Sequence, residues 1–340
     1  MVTVFAGSTS AQTRQRPQPQ SKRATAKRSS PIFNFYHDEF WLNLHHFLYV
    51  LGRANNKTRD SARAAVSGAP ADQEQGLALL TAQEQMSWKE AVQQYAAGPS
   101  KKDLVFDDPL PASTIALARA RNANSPASAG LDPAIAAVLV RAAPIYRKAW
   151  WPRHLAANRS WEKETQALVK RYGAAVLSFI THAYQMEWPA AGYGVHISAY
   201  TNWAGAYSTA GNLLVVSSLA EANHGTAALE TVFHEGMHQW DDLVDAALLE
   251  QARRINKRAP DDFSHALIFF TAGEAVRRLV PEHTPYADKS GVWQRRRAGA
   301  SERQALIEIW KPYLDGHGTR DEAFAELINR LNPEPGRQIP

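Results

Sequence analysis

The sequence predicts a mainly α-helical protein with one small antiparallel β layer at about residues 193–218. Before that layer, long stretches carry apolar residues at helical spacing and are rich in alanine and glutamine. Within it, the pattern changes to the alternation and β-branched content of strands, and helical patterns return afterwards. With 340 residues and 45% hydrophobic content, the chain is long enough for one large core or two smaller ones.

Residues 1–30 differ in composition from the rest of the chain. They hold six of the 38 basic residues and precede Asp38, the first acidic one, so the remainder is nearly neutral and its charge predicts no nucleic-acid partner. We predict a disordered basic tail at 12–30. The segment Met1 to Ala11 resembles the end of a secretory signal and would make the protein secreted or periplasmic; an ordinary flexible terminus is the alternative.

Residues 31–190 are predicted to form a helical region. The segment Ile32 to Leu51 is dense enough in apolar residues for a buried helix, and Ser160 to Glu187 fits a long one. Between them, shorter helices are expected at about 71–97, 112–122 and 132–142. No stretch approaches the ~18 consecutive apolar residues of a membrane-spanning helix, so no membrane span is predicted.

The β layer opens a second region, 191–340, which is either separate from the helical region or continuous with it. Val195 to Tyr200 and Leu213 to Ser218 are the clearest strands. The pair Gly211-Asn212 is a plausible turn that joins the second of them to Ala206–Thr209 as an antiparallel hairpin.

The pentad His234-Glu235-Gly236-Met237-His238 falls in the helix predicted after these strands, from Thr226 to Trp240. Residues at i and i+4 share one helix face, so both imidazoles can reach one metal ion, while Glu235 can hold a metal-bound water as general base. The pattern predicts Zn²⁺ as cofactor, and catalytic zinc takes three protein ligands. Gly236 costs about 1 kcal/mol relative to alanine in a helix, which indicates close packing at this position.

Glu274 is the third ligand that the sequence favours. It lies on a predicted helix of about 261–276 and continues an apolar stripe formed by Phe263, Leu267 and Phe270. A carboxylate on such a stripe is costly unless it is paired or metal-bound. A structural ion pair with Arg277 or Arg278 is therefore the alternative.

His265 and Asp242 are the rival third ligands. His265 and Glu274 lie on the same predicted helix, but their side chains are about half a turn apart around its axis. Only one of the two is therefore expected to coordinate. Asp242 lies four residues after His238, but one straight helix rarely turns three successive i+4 side chains onto one ion. A role behind an imidazole, orienting it through its other nitrogen, fits Asp242 better.

Over residues 193–290 the chain resembles the gluzincin metallopeptidases, the thermolysin-like group. The resemblance rests on the pentad, on Asp242 after it and on Glu274 in a later helix. It implies a zincin-like catalytic core in residues 191–340 and a zinc-dependent peptidase. In that enzyme His234, His238 and Glu274 would bind zinc, Glu235 would be the general base, and an exposed strand before the helix would pair with an extended peptide.

The chain departs from that family at two points. The 36 residues from His238 to Glu274 exceed the spacing typical of thermolysin. Gly273 and Arg278 stand where the family has Asn before the glutamate and Asp four residues after it.

Two further roles and two further functions stay open at the level of sequence. Tyr286 is the first candidate for the hydrogen-bond donor to the reaction's oxyanion and His283 the second, with an ordinary loop role as the alternative for either. The substrate backbone, from a peptide or protein, is expected to pair along Tyr200–Ser208. The competing functions are a non-catalytic zinc-stabilised or helical binding protein and a zinc hydrolase of non-peptide amides.

Thr319 and Glu322 fit a capping box that opens a C-terminal helix.

Overall fold

A computed structural model describes residues 31–56, 68–121, 123–209, 213–296 and 298–332. The basic tail and signal-like segment predicted at 1–30 and the Gly211-Asn212 turn lie outside these residues. From residue 31 onward the described residues form one compact unit.

The first part of this unit is a strand followed by helices. A single helix over Ile32 to Leu51 is wrong, because residues Phe33–Tyr36 form strand β1 and the helix begins only at Phe40. A short apolar run fits a strand as well as a helix. Here the run is a strand because it pairs with residues 193–196, far away in sequence. The helices are α1 Phe40–Asn55, α2 Ala69–Leu77, α3 Ala82–Ala97, α4 Leu110–Arg119, α5 Pro133–Ala149 and α6 Trp151–Tyr184.

The β layer is a mixed four-stranded sheet, and not the antiparallel layer that the sequence predicts. Its other strands are β2 Tyr193–Ser198, β3 Ala206–Thr209 and β4 Leu213–Ser217. The order is β1-β2-β4-β3, with parallel pairing of β1 to β2 and of β2 to β4, and only β3 runs antiparallel to its neighbour. The helices between β1 and β2 form a crossover that returns the chain in the same direction.

After the sheet, the described residues are mainly helical, and their first α-helix carries residues 234–237 of the pentad. The elements are α7 Thr226–Met237, a 3₁₀ turn His238–Trp240, α8 Asp241–Arg254, α9 Phe263–Arg277, α10 Tyr286–Lys289, α11 Val292–Arg295, α12 Gly299–Ala305, a π turn Leu306–Trp310, α13 Lys311–Leu314 and α14 Arg320–Leu331. The predicted capping box is confirmed at the start of α14. Among the described helices, none is long and apolar enough to cross a membrane.

The sheet lies between two hydrophobic clusters. Side chains alternate between the faces of a strand, so Leu214 and Val216 of β4 pack with α7 and α9, whereas Leu213 and Val215 pack with α1 and α5. The helical region and the region of the pentad thus share the sheet as a common layer.

Close packing at Gly236 gives a stability prediction. A Cβ built on this residue would lie 2.4 Å from a ring carbon of Trp188, closer than real contacts allow. Gly236→Ala should therefore destabilise the fold by about 1–3 kcal/mol through overpacking, against the roughly 1 kcal/mol that alanine contributes to a helix. Denaturant unfolding measures the difference. The penalty should shrink in a Trp188→Leu background, and a single variant as stable as the wild type would contradict the prediction.

Candidate metal centre

Three histidines from two helices converge in the structure. The pentad lies on α7 and the 3₁₀ turn that follows it, which keeps His234 and His238 one turn apart with their Nε2 atoms separated by 3.3 Å. His265 approaches from α9, and one ring nitrogen from each histidine lies within 4.8 Å of the others. Within the described part of the chain, these residues form the group that could hold a metal ion.

Glu274 does not join this group. Its Oε1 accepts a hydrogen bond from Arg277 Nη2 at 2.5 Å, the ion pair that was the structural alternative for this residue. His265 and Glu274 are nine positions apart on α9, about two and a half turns, and so point in opposite directions. The structure therefore replaces Glu274 with His265 as the third candidate ligand.

Asp241, and not Asp242, supports the second histidine of the pentad. Its Oδ2 accepts a hydrogen bond from His238 Nδ1 at 2.7 Å, while Asp242 is exposed. The 3₁₀ turn after α7 is tighter than an α-helix, which brings the residue at i+3 under the imidazole in place of the residue at i+4. A proton held on Nδ1 leaves the Nε2 lone pair of His238 free for a metal ion.

Burial lowers the pKa of two of the three imidazoles, and a hydrogen bond with nearby charges raises that of the third. Burial lowers the pKa of His234 well below its usual value, and nearby His238 and His265 lower it further. Burial, and then His238, lower the pKa of His265 to about 4. At His238 burial also lowers the pKa, but the Asp241 hydrogen bond and the Glu235 and Asp241 charges outweigh it and the pKa is raised. His234 and His265 are therefore neutral at pH 7, the form that binds metals.

Glu235 lies beside the histidines with only 7% of its surface exposed. Its Oε2 accepts a hydrogen bond from Ser208 Oγ at 2.9 Å. Burial raises the pKa of Glu235, whereas His238 and the Ser208 hydrogen bond act in the opposite direction. A buried carboxylate with a raised pKa, next to a group of metal-binding type, is suited to take up and release a proton.

Tyr286 lines the same cleft as the histidines and stacks on Phe269, which lies between them. Its ring lies 6.0 Å from that of Phe269 at an interplanar angle of 13°. Phe269 in turn packs against the rings of His234 and His265 at 4.3 and 4.5 Å. Burial raises the pKa of the Tyr286 hydroxyl, which keeps it a proton donor at neutral pH.

His283, the second candidate donor, has a different place. Its Nε2 bonds to Glu230 Oε2 at 2.6 Å and its Nδ1 to Thr226 Oγ1 at 2.8 Å, so both ring nitrogens are occupied. Glu230 also accepts the backbone N–H of Tyr286. His283 thus ties the loop before α10 to α7, and this tie fixes the position of Tyr286.

A cleft of about 920 Å³ opens onto these side chains. Strand β3 and helices α7, α9, α10 and α11 line it, and so does the segment 103–115 of the helical region. Within the predicted substrate segment, Asn202–Ala204 and Ala206–Ser208 line the cleft. In the described sheet, β3 pairs only with β4 and is therefore an edge strand.

Sequence reasoning missed several residues that build the site. Phe269 and Glu230 have no role in the expectations above, and Ser208 enters them only as the end of the predicted substrate segment. In the structure, Ser208 contacts Glu235, Phe269 contacts the histidines and Glu230 contacts the loop of Tyr286. For Phe269 and Glu230 a local signal existed, because each lies one helical turn from a histidine of the cluster. Ser208 gave none, since a serine in a short strand is common.

Comparison with known proteins places the chain in no group: no family model, no curated protein and no solved structure matches it.

Proposed function

We propose that the protein is a zinc-dependent metallopeptidase. In this proposal His234, His238 and His265 hold Zn²⁺, and Glu235 is the general base. One observation carries it: a buried glutamate stands beside three converging histidines in a cleft bordered by the edge strand β3. Catalytic zinc keeps three protein ligands and an open position, whereas structural zinc has four.

The donor set fits the ion. Imidazole nitrogen is a preferred zinc ligand, and two of the three rings are neutral because they are buried. The Nε2 atoms of His234 and His238 face each other at 3.3 Å, where two lone pairs repel unless a cation or a proton lies between them. Bound there, zinc would polarise the carbonyl of the substrate and acidify a water.

The chain's own groups supply the remaining steps. Glu235 takes a proton from the attacking water and passes it to the leaving amine. The Tyr286 hydroxyl donates a hydrogen bond to the oxygen that becomes negative in the transition state. An extended substrate pairs its backbone with the edge strand β3, which favours a peptide over a small amide.

Removal of the metal tests the proposal. Protein prepared with zinc present should contain about one zinc per chain and hydrolyse labelled, unfolded casein. Dialysis against a chelator should abolish hydrolysis, and added Zn²⁺ should restore it. A zinc-free preparation, or hydrolysis that survives chelation, would exclude the proposed chemistry. Bound zinc without hydrolysis of casein or a peptide library would favour the scaffold or the non-peptide amide hydrolase.

A further inference from the structure

We propose that Ser208 is a positioning residue for the general base, and that its hydroxyl couples Glu235 to the edge strand. This inference rests on the proposed function, because it gives Ser208 a task only if Glu235 moves protons. Ser208 lies on β3, is half-buried and lines the cleft. Its Oγ lies 2.9 Å from Glu235 Oε2 and 2.5 Å from the backbone oxygen of the same residue.

Two acceptors from one residue face a hydroxyl that has one hydrogen. Ser208 can donate to only one of them at a time, and it can also accept. Because both acceptors belong to Glu235, donation to either one holds this residue against β3. The hydroxyl therefore limits the positions that the Glu235 side chain can take.

The opposite face of β3 holds the strand in place. Tyr207 points away from Glu235, and its hydroxyl bonds to His46 Nε2 at 2.6 Å and to Thr114 Oγ1 at 3.2 Å. Ser208 itself pairs with Leu214 in the β3–β4 ladder. Pairing with β4 and the hydrogen bonds of Tyr207 therefore hold the strand that carries the Ser208 hydroxyl. A peptide that pairs with the other edge would lie beside the residue that orients the base.

Replacement of Ser208 by threonine and by valine separates the effect of the hydroxyl from the effect of side-chain shape. Both side chains are β-branched, suit a strand and have nearly the same volume, but only threonine keeps the hydroxyl. We expect Ser208→Val to lower kcat by about 10–100-fold, the usual cost of losing a group behind a catalytic residue. Ser208→Thr should stay within a few-fold of the wild type. KM, zinc content and the thermal midpoint should match between the two variants.

The double variant Ser208→Val with Glu235→Gln tests whether serine acts through the base. If it does, valine adds no further loss when glutamine already occupies position 235. Equal kcat in the valine and threonine variants would overturn the inference, as would an additional loss in the double variant. If Glu235→Gln alone leaves hydrolysis intact, the proposed function fails. If it abolishes hydrolysis while Ser208→Val keeps the kcat of Ser208→Thr, only the role of Ser208 fails.

Discussion

Glu235→Gln is expected to lower peptide hydrolysis by about 10²–10⁴-fold, the usual contribution of a general acid–base group. The amide has nearly the shape of the carboxylate and can still accept the Ser208 hydrogen bond, but it cannot take a proton from water. Zinc content should stay at the wild-type level, because Glu235 is no part of the three-histidine group. Initial rates on casein, together with metal analysis of the same preparation, measure both quantities.

The matched control for this variant is Glu250→Gln. Glu250 lies on α8 in an exposed pair with Arg254, and surface substitutions of this kind change little. Its hydrolysis rate should equal that of the wild type. A Glu235→Gln variant that hydrolyses casein at the rate of the control would remove the base from the mechanism while leaving the metal site untouched.

His265→Ala should weaken zinc binding by more than the roughly 10–100-fold that loss of a group behind a ligand costs. His265 supplies one of only three candidate nitrogens, so its loss leaves two protein ligands for the ion. Competition with a chromophoric zinc chelator gives the dissociation constant for each variant. Hydrolysis at limiting zinc should fall in parallel.

Glu274→Ala provides the comparison, since the sequence favoured Glu274 over His265. The structure pairs Glu274 with Arg277, so its removal should leave the zinc dissociation constant near that of the wild type. Any loss should appear in the unfolding midpoint, because the buried Glu274 carboxylate and its hydrogen bond from the exposed Arg277 are removed. Zinc lost in Glu274→Ala but kept in His265→Ala would return the ligand role to the glutamate.

The third candidate ligand shows what the sequence alone could not predict. His234 and His238 were predictable because i and i+4 share a face in any α-helix. The choice between His265 and Glu274 depends on how α9 is rotated against α7. Both residues interrupt an apolar helix. The pattern of residues along one helix does not show how that helix is rotated against its neighbour. Only the packing of the two helices presents His265 to the pentad.

The other differences between the predicted and the observed structure also depend on distant strand pairing or on the exact geometry of a turn. β1 is a strand because Phe33–Tyr36 pairs with β2, which lies more than 150 residues away in sequence. Asp241 takes the place expected for Asp242 because the chain tightens into a 3₁₀ turn at His238. One residue of register in a turn decides which of two neighbouring aspartates lies under the imidazole.

The pairing of β1 with β2 also bears on how this chain is built as a unit. The pentad, Glu235 and His265 all lie after residue 191, yet the strand at one end of their sheet comes from residues 33–36. The face of β4 opposite α7 is covered by the helices that follow β1. A boundary at residue 191 would uncover that face and remove a wall of the cleft. The part of the chain that carries the candidate metal centre therefore shares a sheet and a cleft wall with the residues before it, and we expect that it does not fold alone.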